Sequence, residues 1–141
     1  MRRLSYTVYI FLQCTLGIIQ TLMGLCYFII SIKYPHEFYH GAVLTRRPGI
    51  GGVSLGLFIF ANDDNSAGMS GKIAVHEFGH TIQSLILGPL YCLLIVPESM
   101  LWCALPPLRR FRQDRGISYY SFYTESWANK LGRAVLGEET P

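Results

Sequence analysis

The sequence predicts a mainly α-helical chain with one short β element: an N-terminal transmembrane helix followed by a small membrane-associated domain. Three observations carry that prediction. Residues 4–32 hold no charged side chain over 29 positions, more than the roughly 20 needed to cross a bilayer core. Half of the 141 residues are hydrophobic and only 15% are charged, against about a quarter in a soluble domain. Residues 72–87 are periodic, with Ser70 as a candidate cap and Gly88-Pro89 as a stop, and read as a helix. The boundaries that follow are 1–33 for the anchor, 34–52 for a connector, 53–136 for the domain and 137–141 for a tail.

Taken in order, Arg2 and Arg3 precede the first apolar run and Lys33 follows it, the flanking expected of a span. A cleaved signal peptide shares the basic start, but the run exceeds an ordinary signal core and no small-x-small site follows it, which favours an uncleaved anchor. The connector is mixed polar sequence with Pro35, Pro48 and several glycines. Residues 53–60 read as a short strand stopped by Asn62-Asp63-Asp64-Asn65, a turn-forming run without the spacing of a calcium loop. An exposed edge of that strand would be able to pair with an extended peptide, the alternative being a simply buried strand. Residues 90–105 are apolar but interrupted by Pro97 and Glu98, so they read as a bent, partly inserted helix or re-entrant hairpin, ended by Pro106-Pro107. Arg109, Arg110, Arg112 and Arg115 then return the chain to water beside anionic headgroups. Residues 117–136 form an aromatic-rich segment that suits either a packed helix or an interfacial belt, closed by Gly137.

Charge and cysteine content exclude several classes. The net charge of +3 comes from short basic groups beside apolar segments, a distribution suited to lipid headgroups, and no nucleic-acid motif is present. The four cysteines lie in apolar runs without a C-x-x-C pair and read as small buried hydrophobes.

Chemistry concentrates in the central helix, where His76-Glu77-Phe78-Gly79-His80 is an H-E-x-x-H pattern. On a helix the histidines share one face with Cβ atoms roughly 5–6 Å apart, which suits two imidazoles on one metal ion. Glu77 falls at the edge of that face, placed to act as general base on a metal-held water. A second copy, His36-Glu37-Phe38-Tyr39-His40, is hemmed in by Pro35 and Gly41 and has barely a turn in which to form a helix. It reads as a wet turn near the membrane. A catalytic zinc takes three protein ligands and keeps one position for water. No histidine follows His80, and among the later carboxylates Glu125 is favoured because it opens Glu125-Ser126-Trp127-Ala128-Asn129 on an expected helix. Glu98 competes, whereas Asp114, Glu138 and Glu139 read as solvated.

The pattern H-E-x-x-H followed by Glu125-x-x-Ala128-Asn129 resembles the gluzincin metallopeptidases, in particular the membrane-embedded branch with the CAAX prenyl proteases and stress-induced bacterial membrane proteases. Residues 50–132, with Ser54-Leu55-Gly56, Ile82-Gln83-Ser84 and Gly88-Pro89-Leu90-Tyr91, are also similar to a group of small bacterial membrane proteins of unassigned function. The resemblance implies a minimal zincin-like domain in a bacterial cytoplasmic membrane, with the site at the cytoplasmic face by analogy. It implies His76, His80 and Glu125 as zinc ligands, Glu77 as catalytic base and Asn129 as the residue orienting a ligating histidine. The larger proteases have more spans and an enclosed chamber, which this chain lacks. Tyr119, Tyr120 and Tyr123 are candidates, by chemistry, for stabilising an oxyanion.

The resulting expectation is a membrane-anchored zinc metallopeptidase acting on a peptide or a membrane-proximal protein, with the lipid bilayer as its partner and no nucleic acid. The alternative is a non-enzymatic membrane protein whose zinc is structural. One constraint on topology holds in either case: if residues 81–105 crossed the membrane fully, His80 and Glu125 would lie on opposite faces and share no ion.

Overall fold

The computed structural model describes residues 5–49, 51–62 and 69–141. Seven helices and a four-stranded sheet make up these residues: α1 (Tyr6–Thr15), α2 (Ile18–Ile30), β1 (His36–Tyr39), β2 (Ala42–Arg47), β3 (Val53–Leu55), β4 (Phe58–Asn62), α3 (Met69–Leu87), α4 (Leu90–Leu94), α5 (Val96–Ala104), α6 (Pro106–Arg115) and α7 (Tyr123–Leu136). A 3-10 turn at Tyr119–Ser121 precedes α7. The mainly helical expectation with a β element therefore stands. Arg2, Arg3 and residues 63–65 of the Asn/Asp run lie outside the described residues.

The single transmembrane helix expected over residues 4–32 is corrected. The run folds as two helices, α1 and α2, bent by 97° at Leu16-Gly17, and no single helix among the described residues is long and apolar enough to cross a membrane. The reason is polar. Gln13 and Gln20 are fully buried and need partners, which a straight helix in hydrocarbon would not supply. With the bend, Gln13 Nε2 donates to the Thr81 carbonyl at 3.0 Å, Gln20 Nε2 donates to the Gly88 carbonyl, and Thr21 Oγ1 donates to the Gln13 carbonyl at 3.0 Å.

The connector also differs from expectation, because it contains β1 and β2 rather than irregular chain. Sheet order is β1-β2-β4-β3, with β1/β2 and β3/β4 antiparallel and β2/β4 parallel. His36-Glu37-Phe38-Tyr39 is strand β1, and His40 (φ 49°) with Gly41 (φ 99°) makes the hairpin turn. Two positive φ values in succession are what a tight hairpin needs, and glycine supplies one without strain. The second H-E-x-x-H copy is thus a strand and a turn, and among the described residues it forms no metal-holding group. Residues 53–60, expected as one strand, divide into β3 and the start of β4 around Gly56-Leu57.

Helix α3 is the centre of the molecule. Every residue from Ala74 to Ser84 is buried, so its surroundings rather than a single apolar stripe determine its role. Leu44 and Ile59 of the sheet, Phe78 and Ile82 of α3 and Tyr9 of α1 share one core, with the Tyr9 and Phe78 rings stacked 5.2 Å apart. On its other side α3 meets α7 at van der Waals limit: a Cβ at Gly79 would run into the carbonyl oxygen of Ala128, and one at Gly132 into that of Val75. The α7 face turned inward is Thr124, Glu125, Ala128, Asn129 and Gly132, the four-residue repeat of one helix side.

After Gly88 the chain turns back. Helices α3 and α4–α5 meet at 119° across Gly88-Pro89, while the run expected to bend at Pro97 and Glu98 divides between α4 and α5 at Ile95, with Pro97 in the first turn of α5. Pro106 and Pro107 end the apolar run by opening α6, at positions where proline's missing N–H costs nothing. This return brings α7 alongside α3. The cysteines are not the buried hydrophobes expected, for Cys14 and Cys26 are exposed and Cys92 and Cys103 half-buried.

Candidate metal centre

Three side chains from two helices converge. His76 and His80 lie four residues apart on α3, and Glu125 lies in the first turn of α7. All three are at most 5% exposed, and one donor atom from each lies within 4.8 Å of the others. Glu125 Oε2 is 3.0 Å from His76 Nε2 and 3.4 Å from His80 Nε2. Donors about 2 Å from a tetrahedral ion are separated by about 3.3 Å, so these spacings suit one ion.

The outer nitrogens settle which atoms face inward. His76 Nδ1 is 2.8 Å from Asn129 Oδ1, and His80 Nδ1 is 2.6 Å from Gln83 Oε1. Both amides are oriented independently, since Asn129 Nδ2 donates to the Pro141 carbonyl at 3.3 Å and Gln83 Nε2 to the Thr124 carbonyl at 2.8 Å. Each Nδ1 therefore carries its proton, and in the neutral imidazole each Nε2 lone pair points at the Glu125 carboxylate. Lone pairs facing a carboxylate in a buried site need a cation between them, either a proton or a metal ion. The group could hold a metal ion.

Glu77 stands beside this cluster. Ser54 Oγ on β3 lies 2.7 Å from Glu77 Oε2 and 2.8 Å from the Glu77 carbonyl, and the Gly52 backbone packs against the same carboxylate. Tyr91 OH donates to the Ser54 carbonyl at 3.1 Å and fixes the strand that fixes the glutamate. A cavity of about 610 Å³ opens here, with Glu77, His80, Ser54 and Tyr119 in its wall. Its volume is that of a small-ligand site.

The electrostatics follow from burial and pairing. Burial would raise the Glu125 carboxyl, but hydrogen bonds with His76 and His80 outweigh it and hold the group well below the usual carboxylate range. Burial, with Glu77 and Glu125 nearby, pushes Tyr120 up to about 12 and raises Tyr119 still further, so both keep their O–H at neutral pH. Tyr120 lies edge-on against His76, ring centroids 4.9 Å apart.

Most of the residues singled out in the sequence are brought together: His76, Glu77, His80, Glu125 and Asn129. The competitor Glu98 and the two tail carboxylates are engaged elsewhere. Glu98 accepts from Tyr123 OH, Glu138 pairs with His40 at 3.3 Å and Glu139 with Lys72 at 3.0 Å. Tyr123, the third candidate oxyanion donor, is exposed and donates its hydroxyl hydrogen bond to Glu98. Two contributors were not foreseen in their roles, Gln83 and Ser54. Gln83 was findable, because a residue three positions after His80 shares its helix face. Ser54 was not, since it acts across a strand-to-helix contact.

Comparison with protein-family models, with curated proteins and with solved structures finds no match to the chain.

Proposed function

We propose that the protein is a membrane-associated zinc metallopeptidase of gluzincin type that hydrolyses peptide bonds. The observation that carries the proposal is the buried convergence of two histidine Nε2 atoms and the Glu125 carboxylate beside a held glutamate. Two imidazoles and one carboxylate are a donor set of catalytic zinc sites that keep a fourth position open. When bound, zinc supplies a Lewis acid and lowers the pKa of its water towards 7. Glu77, held by Ser54, takes the proton from the attacking water and returns it to the departing amine. Tyr119, protonated and on the cavity wall, donates its O–H to the developing oxyanion. Among the described residues strand β3 is at the edge of the sheet and lines the cavity beside Glu77.

Membrane association belongs to the same reading. It is supported by the uncharged run over residues 4–32 and by exposed Phe11, Leu22, Ile30, Leu93 and Met100 on α1, α2, α4 and α5.

Zinc content of detergent-purified protein together with cleavage of a peptide library tests the proposal. Wild type is expected to hold about one zinc per chain, His80→Ala and Glu125→Ala to lose it, and the double change at His36 and His40 to keep it. Glu77→Gln keeps zinc and loses cleavage; cleavage that survives this change rules out the mechanism. A structural metal is the second reading, favoured by one observation, that the ligands link α3 to α7. Its signature is chelator-induced unfolding with no peptidase activity in any condition.

A further inference from the structure

Of the arginines on α6, Arg109, Arg110 and Arg115 are exposed, whereas Arg112 is half-buried and turns inward. Its Nη2 donates to the Trp102 carbonyl at 3.0 Å, and its guanidinium lies over the Trp102 ring at 5.1 Å and the Tyr119 ring at 5.3 Å. Trp102 completes the clamp: its Nε1 donates to the Tyr119 carbonyl at 2.9 Å, and its ring stacks on Phe122 with centroids 4.8 Å apart. Tyr119 is thus held twice, its backbone by an indole N–H and its ring by a guanidinium. Both contacts are directional, so together they fix an orientation that purely apolar neighbours would leave free.

The orientation of Tyr119 matters because of where it stands. It belongs to a 3-10 turn of three residues, an element too short to hold a side chain by its own geometry. Its side chain lies on the cavity wall with Glu77 and His80, and its hydroxyl feels the charges of Glu125 and Glu77. Tyr120, by contrast, sets its ring against His76. A donor to an oxyanion must be in place before the charge develops, so a loosened donor lowers rate rather than substrate binding.

We propose that Arg112 is a positioning residue that, with Trp102, keeps the Tyr119 hydroxyl aimed into the cavity where the oxyanion develops. The inference rests on the peptidase reading and adds to it the device that holds the donor. It also separates Arg112 from the three neighbouring arginines with which the sequence groups it: they face outward, and it acts on the site through Tyr119.

The test compares zinc-loaded wild type, Tyr119→Phe, Arg112→Met and the double variant in detergent. Two quantities are read: kcat and KM on the best-cleaved library peptide, and calorimetric affinity for the phosphonamidate of the same sequence, whose tetrahedral anion stands in for the oxyanion. Tyr119→Phe is expected to lower kcat about 100-fold and phosphonamidate affinity about 10- to 100-fold, with KM within about twofold of wild type. Arg112→Met is expected to lower kcat and phosphonamidate affinity about tenfold, and to lower neither further once the Tyr119 hydroxyl is gone. Arg112→Lys, which keeps the charge without the planar fork, recovers part of the loss. Trp102→Phe, which keeps an aromatic ring against Phe122 and loses the N–H, gives a partial loss that also vanishes in the Tyr119→Phe background. Zinc content and melting temperature are read on every variant, so that the lysine and phenylalanine changes decide if Arg112→Met does not fold. Arg112→Met with wild-type kcat overturns the inference, as does an equal loss with and without the Tyr119 hydroxyl, which makes Arg112 a support of the fold. Tyr119→Phe with unchanged kcat overturns it as well and leaves the peptidase reading standing. Wild-type protein that holds zinc and cleaves no library peptide overturns both readings.

Discussion

The Nδ1 of His76 lies 2.8 Å from Asn129 Oδ1, one helical turn beyond Glu125 on α7. One face of α7 therefore supplies both a donor to the cluster and the acceptor that orients another donor. The amide fixes the tautomer of His76 and so directs its Nε2 lone pair inward.

Asn129→Ala removes that orientation and leaves every ligand in place. Zinc affinity is expected to fall about 10- to 100-fold with little change in fold, read by competition with a chromophoric chelator and by circular dichroism. Unchanged affinity would show that packing against Tyr120, rather than Asn129, sets the ring.

The close approach of α3 and α7 makes a second prediction. Gly79→Ala would gain about 1 kcal/mol from helix propensity, but its new methyl meets the Ala128 backbone carbonyl, which is not a movable side-chain end. Overpacking costs about 1–3 kcal/mol, so the net change is destabilising and pushes Glu125 away from the histidines. Denaturant unfolding and zinc content are expected to fall together; a more stable variant with zinc retained would contradict the packing.

Metal-free protein should show a particular pH dependence. Glu125 has its folded pKa lowered, with the opposing effect of burial outweighed by His76 and His80. Its contribution is present above the ordinary carboxylate range and lost as pH falls through and below it. His80 has its folded pKa raised, because Glu125 and Glu77 outweigh the burial that lowers it. That contribution is present below the ordinary imidazole range, near 6.5, and lost as pH rises through the raised value. Chelator-treated protein is therefore most stable between the two ranges, and Glu125→Gln flattens both limbs. Thermal unfolding between about pH 3 and pH 8 checks this, and a wild-type profile as flat as the variant's contradicts the pairing.

Legibility in the sequence followed the range of the interactions. His76, His80 and Glu77 were readable because four-residue spacing on a helix is local geometry, and Glu125 because little else downstream offered a carboxylate on a helix. The bend at Leu16-Gly17 was not. Its signal lay in Gln13 and Gln20, two amides inside an apolar run, and its cause lies 68 residues away in the Thr81 and Gly88 carbonyls that satisfy them. Strands β1 and β2 were hidden for the same reason, since a short hairpin in mixed sequence is stabilised by pairing with β4 rather than by its own pattern.

Ser54 gives the last prediction. Its hydroxyl is the described side-chain donor to Glu77 Oε2, and it touches none of the three converging ligands. Ser54→Ala leaves the buried carboxylate short of one charge-assisted hydrogen bond, about 1.5–3 kcal/mol, and frees its rotamer. If Glu77 is the base, kcat is expected to fall about 10- to 100-fold while zinc content and KM stay near wild type. Ser54→Thr, which keeps the hydroxyl, should recover part of the loss. A purely structural Ser54 would lower melting temperature and active fraction without that selective loss of kcat, and would gain nothing from threonine, so kcat per zinc-loaded molecule separates positioning of the base from support of the strand.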